Sequence, residues 1–192
     1  MRELVSNGCD AITKFQKFVS LGEAKAEDDE KYQVRVTVDK ENGTLSISDN
    51  GIGMTAEEIE KYITQIAFSG AADFLEKYKE DSDKSTQIIG HFGLGFYSAF
   101  MPSDKVEIES LSYQPNAKPA KWVCDGGVEY DLTEGTRDKR GTTVTLYIAE
   151  DSKEFLEEYT VRSVLEKYCS FLPTEVYLDV LPNKDGIKCA YK

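Results

Sequence analysis

The stretch IIGHFGLGFYSAF, residues 88–100, places three glycines within six positions and runs directly into an aromatic segment with helical character. Glycines let a ligand approach the backbone closely, and bare N–H groups in such a turn form a concave nest for anions. We therefore predict a phosphate-binding loop at Gly90, Gly93 and Gly95, followed by a helix from about Phe96. The loop is not a P-loop, because neither Lys-Ser nor Lys-Thr follows it, and it lacks the third glycine of a dinucleotide fingerprint. Taken alone, the pattern also suits a tight loop packed under phenylalanines.

The amino-acid composition limits the classes of protein to which the chain can belong. The chain has 192 residues, 40% of them hydrophobic and 30% charged, which fits one globular domain. Its net charge of −12 argues against nucleic acid as the main partner, so bound phosphates would need local N–H groups and a metal ion. The four cysteines are scattered and no apolar run approaches a membrane span, so we expect a cytoplasmic protein without zinc and without a membrane partner.

Periodicity predicts the fold class. Residues 2–19 have apolar residues at helical spacing, and a second strong helix covers 154–172. Asn42-Gly43 joins two alternating runs in a β-hairpin signal, and Thr55 with Glu58 forms a capping box that opens another helix. Several strand-like runs lie next to one another in the second half. We predict an α+β fold: a two-layer sandwich with helices on one face of a mixed, mostly antiparallel sheet.

The first helix carries a polar stripe beside its apolar face. Glu3, Asn7 and Asp10 are spaced i, i+4, i+7, and Lys14 joins them. Such a stripe at the rim of a core could hold a metal ion and activate water. The alternative is a solvated helix face with an Asp10–Lys14 pair.

Asp49 ends a strand and enters the turn Asn50-Gly51-Ile52-Gly53. A carboxylate at this place could accept a hydrogen bond from a ligand donor, and the glycines would let that ligand come close. An ordinary Asx turn explains the same residues equally well.

Four motifs in order are more specific than any one of them. E-L-V-S-N-x-x-D, D-N-G-I-G-M-T, I-G-x-F-G-L-G-F-Y-S-A-F and R-G-T-T-V-T-L together resemble the amino-terminal ATP-binding domain of the ninety-kilodalton heat-shock chaperone family, in a bacterial-type form. The resemblance covers Arg2 to about Leu178. Gyrase B, MutL and histidine kinases share the wider GHKL superfamily, and the resemblance implies its Bergerat ATP-binding fold.

The resemblance also implies roles for individual residues, with ATP or ADP and Mg²⁺ as the cofactors. Glu3 would be the catalytic general base, and Asn7 would ligate Mg²⁺. Asp49 would accept the adenine amino hydrogen, with Thr142 joining through water. The remaining nucleotide contacts would be Asp10, Lys14, Gly53, Met54, Gly90, Phe92, Gly93, Leu94, Gly95 and Phe96.

Domain organisation follows from the same resemblance. Residues 1–192 would form one nucleotide-binding domain, with a lid at about 69–95 and the start of a linker at 181–192. It would lack the family's first strand and short helix and its middle and carboxy-terminal domains. Phe68 stands where many members have a lysine that could meet the phosphates. We expect weak hydrolysis and a monomer for this chain alone, and a homodimer acting on unfolded or partly folded client proteins for the full-length chaperone.

Two alternatives remain open from sequence. A gyrase-type or kinase-type domain is disfavoured by the acidic charge and by the position of the only histidine, His91, inside the glycine loop. A protein-docking module without nucleotide is the other alternative, and it predicts no nucleotide-dependent shift in melting temperature.

Overall fold

A computed structural model describes residues 1–65, 94–127 and 129–181, together with the backbone of 189–191. The strands are β1 (Gln33–Asp39), β2 (Thr44–Asp49), β3 (Ser103–Leu111), β4 (Ala120–Cys124), β5 (Asp131–Glu134), β6 (Gly141–Ile148), β7 (Glu175–Leu181) and β8 (Cys189–Tyr191). The helices are α1 (Arg2–Ser20), α2 (Ala56–Ile59), α3 (Glu158–Cys169), a π-helix at Glu60–Gln65 and two 3-10 helices at Leu94–Phe100 and Glu150–Leu156. Most of the predicted lid, together with Phe68, Gly90, Phe92 and Gly93, lies outside the described residues.

The strands form one mixed sheet in the order β5-β4-β3-β6-β2-β1-β7-β8. Only the pairing of β1 with β7 is parallel among the described strands; the other pairs are antiparallel. The predicted hairpin is confirmed: β1 and β2 pair antiparallel across a turn in which Gly43 has φ of 64°. Glycine suits this turn because an L side chain is strained at positive φ.

The core lies between one face of the sheet and helices α1 and α3. Along β1 and β2, and along β3 from Val106, every second residue is buried, as the period of a strand requires. Helix α1 buries one face against them, and α3 buries a shorter one. The predicted α+β sandwich is therefore confirmed, and no helix in the described part of the chain is long and apolar enough to cross a membrane.

The second strong helix is predicted as one element and is observed as two. Glu157 has extended backbone angles and separates the 3-10 helix Glu150–Leu156 from α3. Val161 and Leu165 share one face of α3, whereas a continuous helix would turn Leu156 about 140° away from Val161. The break lets Leu156 be buried with them.

The helix after the glycine loop also differs from the prediction. It begins at Leu94 rather than near Phe96, and it is a seven-residue 3-10 helix. Gly95 therefore lies in its first turn and not in a loop ahead of it. The Phe96 ring is 4% exposed and packs at right angles to the rings of Tyr97 and Phe100. The Phe96 and Phe100 rings also pack against Trp122 of β4, with ring centroids 5.9 and 6.4 Å apart, and these contacts hold the short helix against the sheet.

Candidate functional site

Three polar side chains interrupt the apolar inner face of the sheet at one end. Asp49 on β2 is opposite Thr142 on β6, and Thr142 is opposite Ser110 on β3. The three residues, here called the polar row, are only 9%, 8% and 0% exposed. The next inward positions along these strands are all hydrophobic: Ile47, Val144 and Ile108. Because buried polar groups cost free energy unless they are hydrogen-bonded, a row of three calls for a local explanation.

Burial shifts the acidity of the Asp49 carboxyl. Burial raises its pKa to about 6, although hydrogen bonds from the Gly51 and Thr142 amides and the charges of Arg137 and Arg140 oppose the rise. The Gly51 N–H donates to Oδ1 at 2.7 Å. A carboxylate has about four acceptor positions, so these two amides leave capacity for a ligand donor.

Helix α1 and the Asp49 turn approach each other closely because glycines lie at their contacts. A Cβ on Gly8 would be 3.3 Å from the Asp49 Cβ, and one on Gly51 would be 2.5 Å from the carbonyl carbon of Ala11. The Ile52 N–H donates to the Ala11 carbonyl at 3.0 Å. The predicted Asx-type bond is present at the Gly51 amide, but the turn is also anchored on α1, which an isolated Asx turn does not require.

The second glycine of this turn rests on strand β3. Gly53 has φ of 66°, and a Cβ there would be 1.9 Å from the Leu111 carbonyl oxygen. The Met54 N–H donates to the Ser110 hydroxyl at 2.8 Å. Gly53 and Met54 thus lie beside the polar row, as the nucleotide-binding prediction requires.

Two arginines fix the same turn through its carbonyl groups. Arg137 donates to the Asp49 carbonyl at 2.9 Å. Arg140 donates to the Asn50 and Gly51 carbonyls, forms an ion pair with Glu30 and stacks on the Phe15 ring. All of these contacts to the turn come from the protein's own side chains.

Glu3 lies at the other end of the site, beside the start of the 3-10 helix. A Cβ on Gly95 would be 2.9 Å from Glu3 Oε2, so the structure brings the predicted base and the last loop glycine together. Arg2 forms an ion pair with Glu3 Oε1 at 2.9 Å. Glu3 and Gly8 are five positions apart on the α-helix, which is about 7.5 Å along the axis. Helix α1 therefore connects the polar row to the glycine segment.

The other polar residues of α1 are open to solvent. Glu3, Asn7, Asp10 and Lys14, here called the helix stripe, include three exposed side chains and a half-buried Glu3. Asp10 and Lys14 form no ion pair in the described part of the chain. The solvent exposure expected for a solvated helix face is therefore observed, whereas the expected Asp10–Lys14 ion pair is not observed among the described residues.

The donor set of the helix stripe suits Mg²⁺ only together with a ligand. The described residues hold no cluster of three or more His, Cys, Asp or Glu side chains that could bind a metal. Mg²⁺ commonly takes one or two protein oxygens and completes its shell with phosphates and water. The Asn7 amide oxygen fits that pattern as the protein ligand.

Sequence reasoning missed Ser110 and the two arginines. A signal for Ser110 exists in the strand alternation: Val106 and Ile108 occupy inward positions, and the next inward residue is a serine. Strand β2 shows the same change at Asp49. Arg140 opens the R-G-T-T-V-T-L motif, but no local pattern gives the role of Arg137 or Arg140, because their partners are backbone carbonyls about 90 positions earlier.

Comparison with known proteins decides the family. Residues 1–125 match the family described as histidine kinase-, DNA gyrase B- and HSP90-like ATPase. The chain belongs to this family. Within it, the chain is 55% identical over 176 residues to the chaperone protein HtpG of Bacteroides fragilis, a match covering 92% of the chain and 25% of that protein. The HtpG proteins of Porphyromonas gingivalis and Desulfitobacterium hafniense are 47% and 40% identical over 92% and 93% of the chain, and over 25% and 29% of their own lengths. The chain thus spans about a quarter of the length of the first two relatives.

Proposed function

We propose that this member of the ATPase family is the nucleotide-binding domain of an HtpG-type chaperone, and that it binds Mg·ATP and Mg·ADP between helix α1 and the polar row. The observation that carries the proposal is the buried Asp49 carboxyl in the polar row, at one end of a mostly apolar sheet face. Family membership supplies the activity, and the names of the relatives supply the chaperone context. Cytoplasmic location stays a prediction.

Each end of the site has a proposed task. Asp49 accepts a hydrogen bond from the adenine amino group, with Thr142 alongside it, while Gly53 and Met54 line the base. At the other end, Glu3 orients and polarises the attacking water, and the backbone around Gly93 and Gly95 holds the phosphates. Asn7 would hold Mg²⁺, which supplies charge neutralisation of the phosphates when bound. The contact between Glu3 and Gly95 supports the pairing of base and phosphate loop.

The remaining tasks belong to the whole protein. We propose that nucleotide binding closes a lid at about 69–95 and drives a conformational cycle of a homodimeric chaperone on unfolded client proteins. We also propose that this chain alone hydrolyses ATP slowly, as the family resemblance implies for an isolated nucleotide-binding domain.

Calorimetric titration with Mg·ADP tests the proposal. The wild-type chain should bind, and Asp49→Asn should weaken binding by more than about 10-fold because the amino group loses a charged acceptor. Asp39→Asn is a matched control: Asp39 also ends a strand and accepts a turn amide, from Asn42 at 3.0 Å, but it ends β1 at the far side of the hairpin. Affinity should be unchanged in the control. Absence of nucleotide binding by a folded wild-type chain would refute the proposal and favour a protein-docking module.

A further inference from the structure

We propose that Ser110 is a positioning residue that fixes the direction of the Thr142 hydroxyl, so that Thr142 accepts rather than donates hydrogen bonds toward the base. The inference rests on the proposed nucleotide site and adds a determinant of base specificity to it. Ser110 itself does not contact the pocket, because its side chain is fully buried.

Three groups surround the Ser110 hydroxyl. The Met54 N–H lies at 2.8 Å, the Gly141 carbonyl oxygen at 3.1 Å and the Thr142 hydroxyl at 2.7 Å. Ser110 has one hydrogen to donate and two lone pairs to accept with. The Met54 amide can only donate and the Gly141 carbonyl can only accept, whereas the Thr142 hydroxyl can do either.

Only one arrangement satisfies all three contacts. Ser110 donates to the Gly141 carbonyl and accepts from the Met54 amide, which leaves one lone pair for the Thr142 hydrogen. The reverse arrangement would spend the Ser110 hydrogen on Thr142 and leave the buried contact to Gly141 unmade, which weakens the network. The network therefore uses the Thr142 hydrogen inside the protein and leaves its lone pairs for a ligand.

With the Thr142 hydrogen directed toward Ser110, the site presents hydrogen-bond acceptors to a bound base. The Asp49 carboxyl, whose pKa is about 6, is also an acceptor once it is ionised, so the polar row presents two adjacent acceptors to whatever enters. A 6-amino purine offers an amino donor there, whereas a 6-oxo purine offers a carbonyl oxygen that meets acceptors. Leaving such groups mismatched in a buried site is the most effective source of discrimination.

The test compares the affinities for Mg·ADP and Mg·IDP by calorimetry. Ser110→Ala frees the Thr142 hydroxyl to rotate and donate to the 6-oxo group, so the preference for ADP over IDP should fall by about 10-fold. Ser110→Thr keeps the hydroxyl and should therefore retain the preference for ADP over IDP. Ser103→Ala is the matched control, because Ser103 is a buried serine on the same strand whose hydroxyl donates to the Ala99 carbonyl. It should leave the preference unchanged, even if stability falls.

A double-mutant cycle with Thr142→Val shows whether Ser110 acts through Thr142. In that background, Ser110→Ala should leave the ADP-to-IDP ratio unchanged, since no hydroxyl remains to be directed. The inference is overturned if Ser110→Ala does not alter the ratio in the otherwise wild-type chain, or alters it equally in the Thr142→Val background. If the wild-type chain binds neither nucleotide, the proposed function itself has failed, and that outcome is distinct from a lost preference.

Discussion

The polar row and the helix stripe are both polar, but they are built differently. The side chains of the polar row are buried. The Ser110 hydroxyl is hydrogen-bonded to the Thr142 hydroxyl, and the turn at 51–54 donates to Asp49 and Ser110 through the Gly51 and Met54 amides. The helix stripe is open to solvent, and apart from the Arg2–Glu3 pair its side chains make no ion pair among the described residues. In the proposed nucleotide site, the base-recognition end is therefore held in place by the protein's own hydrogen bonds, whereas the side chains at the proposed catalytic end are not.

The free-energy cost of burying charged or polar groups falls on the polar row and not on the helix stripe. A buried carboxyl with a raised pKa destabilises the ligand-free fold when it is ionised, and a fold commonly keeps such a group where it is used. The exposed stripe costs almost nothing, because water solvates its charges.

Gly53, in the turn beside the polar row, leaves less room for an added Cβ than any other described glycine. Gly53→Ala should lower the free energy of unfolding by at least about 3 kcal/mol, since its Cβ would collide with the Leu111 carbonyl at 1.9 Å. Gly43→Ala is matched to it, having φ of 64° against 66° but no atom within 4 Å of the added Cβ. It should cost about 1 kcal/mol from backbone strain alone. Urea unfolding of both variants measures the difference, and equal losses would mean that the Leu111 contact yields easily.

Asp49→Asn should stabilise the ligand-free protein at neutral pH while it damages binding. The pKa of Asp49 is raised from 3.8 to about 6. Its contribution to stability is therefore fully present below pH 3.8 and is lost as pH rises through 6, a span worth about 3 kcal/mol at most. An uncharged amide avoids this loss.

The pH dependence provides the measurement for Asp49. The unfolding free energy of Asp49→Asn minus that of wild type should increase as pH rises from about 4 to about 7 and level off above that. Asp39→Asn, at an exposed carboxylate whose pKa is lowered by the Asn42 bonds, should show no such increase. A flat difference for Asp49→Asn would mean that the carboxyl is better solvated than its burial indicates.

Glu3→Gln tests the catalytic end. We expect hydrolysis of ATP to fall by about 100-fold, the usual contribution of a general base, while Mg·ADP affinity changes by less than about 3-fold. Single-turnover hydrolysis and calorimetry measure the two quantities separately. Loss of binding with unchanged stability would instead assign Glu3 to holding the nucleotide.

The outer part of the helix stripe should matter least for the fold. Asp10→Ala and Lys14→Ala should each change the free energy of unfolding by less than about 0.5 kcal/mol, because both side chains are exposed and not paired with each other. Thermal unfolding without nucleotide checks this. A loss as large as that of Gly43→Ala would show that the stripe is part of the fold and remove the contrast with the polar row.

Local sequence patterns were sufficient for much of the fold. The Asn42-Gly43 hairpin, the Thr55–Glu58 capping box and the apolar face of α1 were all predicted and are all observed. Each depends on residues within a few positions of one another, which is the range that periodicity and turn chemistry reach. The same patterns failed at Glu157 and Leu94, where burial of Leu156 and the packing of Phe96 changed the helices.

The amino-acid sequence is enough to mark the residues that could serve a phosphate-bearing ligand, namely Asp49, the helix stripe and the glycines, and to give their order along the chain. Which of these residues come together depends on how the strands pair and how the helices pack. Antiparallel strand pairing brings Asp49, Thr142 and Ser110 into one row, although Asp49 and Thr142 are 93 positions apart in the sequence. Gly8 and Gly95 bring the two ends of that site onto α1. The physical reason is that hydrogen-bond register and backbone contact act across the sheet, whereas a sequence pattern records only neighbours along the chain.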